Sequence, residues 1–95
     1  MPQPVSTSSG HTSATTAAAG GATFQTFPAK PCAHMLIVND TGVDIEVQQG
    51  GNGVALPVLI GQAITFRAIG NASKLGVRRK DQAATPVLVK ARWEA

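Results

Sequence analysis

A chain of 95 residues holds one small domain and excludes a large multi-domain enzyme. Hydrophobic residues make up 43% and charged residues only 14%, about half the usual charged share. Solubility therefore rests on Ser, Thr, Gln and Asn, or on burial in an assembly. The net charge of +3 is unevenly placed: Asp40, Asp44 and Glu46 hold the middle of the chain, whereas Arg67, Lys74, Arg78, Arg79, Lys80, Lys90 and Arg92 dominate its last third. Such polarity suits head-to-tail contact between copies of one protein and lacks the dense stripe expected of a nucleic-acid-binding domain.

Aromatic content is 4%, with Trp93, three Phe and no Tyr, which leaves few platforms for stacking bases or sugars. Cys32 is the only cysteine, so the fold needs no internal disulfide. With His11 and His34 it supplies too few soft ligands for zinc, and no metal or cofactor is expected. Cys32 and His34 are spaced like a thiol and its base, yet no third orienting group or oxyanion site accompanies them, so the reading is non-enzymatic. There is no apolar run of the roughly 18 residues that would span a membrane, and no basic region followed by an apolar block, which predicts a soluble protein made in the cytoplasm.

Taken in chain order, the first thirty residues hold 19 Ala, Ser, Thr and Gly, three prolines and a single charged side chain, Lys30. That composition cannot bury enough apolar surface to offset its ordering entropy, so residues 1–31 read as an extended arm and 32–95 as a compact β domain. Phe24 and Phe27 are the arm's large apolar side chains apart from Met1. They suit either anchoring in a groove of a neighbouring subunit or folding back onto their own core.

From residue 33 onward, short apolar runs alternate with turn chemistry. His34–Val38 is apolar on both faces and predicts a central strand, followed by the turn Asn39-Asp40-Thr41-Gly42. Residues 43–48 alternate strictly, placing Val43, Ile45 and Val47 inward and Asp44, Glu46 and Gln48 outward. The Gly-rich loop 50–53 lacks the Lys and Ser/Thr of a phosphate-binding loop and reads as a hairpin connection into 54–60, where Pro57 predicts an edge strand. Residues 63–69 put Ile64, Phe66 and Ala68 on one face. Residues 74–78 point Leu75 and Val77 inward, and the closing strand lines Val87, Val89, Ala91 and Trp93 on one side. These make about six antiparallel strands with no helix of consequence, an all-β sandwich or small barrel.

Asp44 and Glu46 share a face, but about 6.5–7 Å apart on a solvated strand they read as an acidic stripe and not as an acid–base pair. In Arg78-Arg79-Lys80, Arg78 and Lys80 share one face and Arg79 takes the other. We therefore expect Asp44, Glu46, Arg67, Arg78 and Lys80 to meet protein partners through their charges. The triplets starting at Asn39 and Asn71 match the glycosylation acceptor pattern and are more simply turn residues.

The stretch from His34 to Trp93, with Ile37-Val38-Asn39-Asp40-Thr41-Gly42, Val77-Arg78-Arg79 and Val87-Leu88-Val89-Lys90-Ala91-Arg92-Trp93, resembles small virion proteins of tailed bacteriophages. A polar Ala/Ser/Thr/Gly arm before a tiny all-β domain is similar to head decoration, or cement, proteins. The resemblance implies a capsid-surface protein made in the infected bacterial cytoplasm, binding across copies of the major capsid protein, with homo-oligomers (a trimer among them) expected. It carries no individual functional residue across. Two other classes stay open: a neck, tail or fibre component, and a small nucleic-acid-binding barrel with Arg67, Arg78, Lys80, Lys90 and Arg92 on one face.

Overall fold

A computed structural model describes residues 9–17, 21–51 and 53–95. Strands dominate because the apolar residues recur with period two between turn-forming residues. Ten are formed among the described residues: β1 (Ser9–Thr15), β2 (Gln25–Thr26), β3 (Pro31–Cys32), β4 (His34–Val38), β5 (Ile45–Gln49), β6 (Leu56–Val58), β7 (Ala63–Phe66), β8 (Gly70–Asn71), β9 (Leu75–Arg79) and β10 (Leu88–Glu94). Among the described residues a single 3₁₀ turn covers Ala72–Lys74, and no helix is long and apolar enough to cross a membrane.

The strands pair antiparallel in two four-stranded sheets, β1-β10-β4-β7 and β2-β9-β5-β6, with β3 and β8 forming a short third pair. The two larger sheets enclose one core. Met35, Ile37, Phe66, Val89 and Ala91 come from the first sheet; Ile45, Val47, Val58, Leu75 and Val77 come from the second. This is the all-β, sandwich-like class expected, and β4 is central while β6, which carries Pro57, lies at an edge.

The strand count is about ten, not six. All six expected strands are present, and β1, β2, β3 and β8 are added. Three of the additions are two-residue pairings, too short to leave a periodic signature. The fourth, β1, is built from Ser, Gly, His, Thr and Ala, and no apolar alternation announces it.

Part of the stretch expected as an extended arm thus belongs to the sandwich, while its residues 1–8 and 18–20 lie outside the described residues. β1 pairs along its whole length with β10, from Ser9 opposite Glu94 to Thr15 opposite Leu88. Ala14 is buried, and Gly10 lies so close under Trp93 that a Cβ there would sit 2.7 Å from the indole Cζ2. A seven-residue ladder and that close fit offset the ordering entropy which composition alone suggested was prohibitive.

Of the two alternatives for Phe27, the structure takes the second: it is 1% exposed in its own core, with its N–H donating to the Leu75 carbonyl at 3.1 Å. Ala68, expected inward, is exposed. Its φ of 55° turns the chain out of β7, and its N–H donates to His34 Nδ1.

The turn after β4 is organised by Asn39, which is fully buried. Its Nδ2 donates to the carbonyls of Val43 (2.8 Å) and Val58 (2.7 Å), and its Oδ1 accepts from the N–H and hydroxyl of Thr41. One side chain therefore ties the start of β5 to the end of β6. Gly42, at φ 86°, supplies the left-handed residue the turn requires. Asn71 does similar work at the 3₁₀ turn, its Oδ1 accepting from Ser73 N–H, Ser73 Oγ and Lys30 N–H. Both asparagines are turn residues, as their sequence context suggests.

Candidate interaction surface

Of the charged residues singled out in the sequence, Asp44, Glu46 and Arg78 are engaged within the chain. Glu46 on β5 stands opposite Arg78 on β9, and Arg78 Nε donates to Glu46 Oε1 at 2.9 Å. The same guanidinium lies 4.4 Å from the Phe24 ring centroid and donates to the Ala22 carbonyl at 2.9 Å. Phe24 and Arg78 thereby hold the segment entering β2 against the outer face of the second sheet. Glu46 and Arg78, both expected to meet protein partners, pair with each other within the chain.

Asp44 Oδ1 accepts from Ile60 N–H at 3.0 Å, and its carbonyl accepts from Lys80 N–H at 2.9 Å. The Lys80 side chain is exposed beside the same recess, of about 430 Å³, lined by Asp44, Ile60 and Asp81. Arg79 forms a two-pronged pair with Asp81, at 3.0 and 2.8 Å, which holds the Asp81 carboxyl below its ordinary range and raises the guanidinium. Lys90 reaches Asp40 at 3.0 Å. Three of the acids are thus paired internally and Asp44 is tied to a backbone N–H, so little of the acidic middle is left for a neighbour's basic residues.

Arg67, Lys74, Lys80 and Arg92 have no ion-pair partner among the described residues, and Lys30 lies 4.5 Å over the Trp93 ring. These cations do not share a face. Lys90 and Arg92 point outward from the first sheet, alternating with buried Val89 and Ala91, whereas Arg78 points outward from the second. A nucleic-acid barrel presenting Arg67, Arg78, Lys80, Lys90 and Arg92 together does not match this placement.

Cys32 and His34 are separated in role as well. Cys32 is buried in the core, and burial pushes its thiol above the ordinary range against a smaller opposing pull from Lys30. A protonated, enclosed thiol is a poor nucleophile. Among the described residues no three His, Cys, Asp or Glu side chains are grouped to hold a metal ion.

The surface feature that charge reading missed is apolar. β1 and β2 lie against each other on one flank of the sandwich, leaving β6 and β7 on the other. Between those edges opens a cleft of about 480 Å³ lined by Gln49, Gly50, Gly53, Val54, Leu56 and Phe66. Val54 is 81% exposed, Ile60 58%, and Leu56 and Leu59 about 40% each. Four large apolar side chains within seven residues, at the rim of an edge strand, are more than the scattered exposure usual for a small soluble domain. The signal was in the sequence as the run Val54-Ala55-Leu56-Pro57-Val58-Leu59-Ile60, which is more apolar than a half-buried edge strand needs.

No protein-family model, curated protein or solved structure matches this chain.

Proposed function

We propose that this chain is a non-enzymatic structural protein of a tailed-phage virion, of the head-decoration type, which seats its β6–β7 flank on the major capsid protein. The observation that carries the reading is the set of four exposed apolar side chains, Val54, Leu56, Leu59 and Ile60, of which Val54 and Leu56 line an open cleft. Covering it with a partner would contribute roughly 1.5–3 kcal/mol for each large side chain fully buried. The phage context is supported by the resemblance of residues 34–93 to small virion proteins. A structural role is supported by the internal pairing of Asp40, Glu46 and Asp81 and by the buried Cys32 thiol.

Quantitative mass spectrometry of purified virions tests the reading. The expected result is this chain at a copy number comparable with that of the major capsid protein. Absence from virions overturns the proposal, and a few copies per particle replaces it with a neck, tail or fibre role. Val54→Asp combined with Ile60→Ser should leave the fold intact and abolish retention on heads lacking the wild-type chain. Undiminished retention would overturn the assignment of the β6–β7 flank.

A further inference from the structure

Four strands form the edges of the two main sheets, and they are unequal. β2 has two residues, β6 three with Pro57 at its centre, and β7 four before Ala68 turns the chain away. β1 has seven, with no proline and no Asp, Glu, Lys or Arg. Proteins guard exposed edges with shortness, proline, bulges or charge, and β1 has none of these.

The free hydrogen-bonding groups of β1 can be assigned. Thr16 N–H donates to the Val87 carbonyl at 3.0 Å, one step beyond the Thr15–Leu88 pairing. Alternation along an antiparallel strand then directs the N–H and C=O of Gly10, Thr12 and Ala14 to β10. Those of Ser9, His11, Ser13 and Thr15 point away from the sheet and have no backbone partner among the described residues.

We propose that β1 pairs antiparallel with β1 of a second copy, joining the two first sheets into one continuous eight-stranded sheet about a two-fold axis through Thr12. With Thr12 opposite its own counterpart, Ser9 meets Thr15 and His11 meets Ser13. All four outward-directed residues then pair, giving about eight interchain hydrogen bonds. Directly opposed residues must point to the same side of a sheet, and this register obeys that: Gly10 meets Ala14 on the core side, while Ser9, His11, Ser13 and Thr15 lie outside. Shifting the centre to His11 or Ser13 leaves one end of the strand unpaired, and centring on His11 sets two imidazoles against each other.

A second copy suits this edge better than a foreign strand. Apart from His11, which faces Ser13 in this register, the side chains are small and carry no formal charge, so they cause no repulsion when facing themselves and offer a different sequence little to select. The neighbouring cations Lys90 and Arg92 lie one strand further back. An edge pairing of this length buries modest area, so the dimer is expected to dissociate on dilution.

Sedimentation equilibrium of the full chain over a concentration series tests the proposal, using no virion component and so independent of the proposed function. The expected mass rises from one chain, 9.7 kDa, to two. Ser13→Pro removes an outward N–H without touching the β10 ladder, and should return the mass to one chain at every concentration. Thr12→Cys should give a disulfide-linked dimer under mild oxidation, whereas Ala14→Cys should not; this readout survives if the proline variant fails to fold. A monomer at all concentrations, as would follow if other residues of the same chain cover β1, overturns the proposal. So does a trimer, a dimer indifferent to Ser13→Pro, or cross-linking without preference for position 12.

Discussion

The two flanks of the sandwich are finished differently. On the β1–β2 flank the core is sealed by Phe27, by Ala14 and by Trp93 over Gly10, and what faces outward is a polar backbone edge. On the β6–β7 flank, Leu56 and Phe66 line an open cleft, and Val54 and Ile60 stand in solvent. One flank offers directional hydrogen bonds of low apolar content; the other offers apolar area with a proline in its edge strand. A domain this small buries a modest fraction of its unfolded surface, and leaving one flank open makes the missing burial available to a partner. Two chemically distinct joints on opposite sides would also let one chain meet a copy of itself and a different protein at once.

The largest expected effect comes from Phe27→Ala, which should cost about 3–5 kcal/mol and lower the thermal midpoint of the isolated chain by upward of about 15 °C. An unchanged midpoint would mean that Phe27 does not seal the flank of its own domain. Asn39→Ala tests what holds the open flank together. It strips the buried Val58 carbonyl of its donor and frees Thr41 N–H, for an expected loss of about 2–3 kcal/mol by chemical denaturation. Gly10→Ala should cost about 1–3 kcal/mol through collision with Trp93, accompanied by a shift in the emission of that single tryptophan.

Val54→Asp should change stability by less than about 0.5 kcal/mol, because its side chain is mostly in solvent. A large loss there would erase the contrast between the flanks. The smallest effect is acid dependence at Asp81. Its folded-state affinity for protons is lowered by Arg79, so its contribution is present above its unfolded-state value and disappears as pH falls through the folded one. Asp81→Asn should slightly lower stability at neutral pH, where the ionised carboxylate pairs with Arg79, and slightly flatten the acid limb of the stability curve.

The strands that carry the core were legible because period-two alternation and turn residues are local. Ile45 and Val47 are fully buried on the strand whose alternation was strictest, and Pro57 marked its strand as an edge without reference to any neighbour. The candidate surface was legible only in part. Glu46 and Arg78 were visible as charged side chains, but their register across β5 and β9, which makes them partners of each other, depends on how distant segments align. Asn39 read as a turn residue; that its amide also reaches Val58, nineteen positions away, follows from the approach of β6.

By itself, the amino-acid sequence determined an all-β chain with small antiparallel strands, a central β4 and an inward row from Val87 to Trp93, since each of these follows from side-chain alternation and local turn preference. Only the tertiary structure decided that Ser9–Thr15 is an edge strand, because its order comes from β10 and Trp93 and not from its own composition. It also decided that three acids are paired internally and that Val54, Leu56, Leu59 and Ile60 face outward while Val58 between them is buried. The residues of an interface are set by which groups the fold leaves without partners, and that is known only once every other pairing has been made.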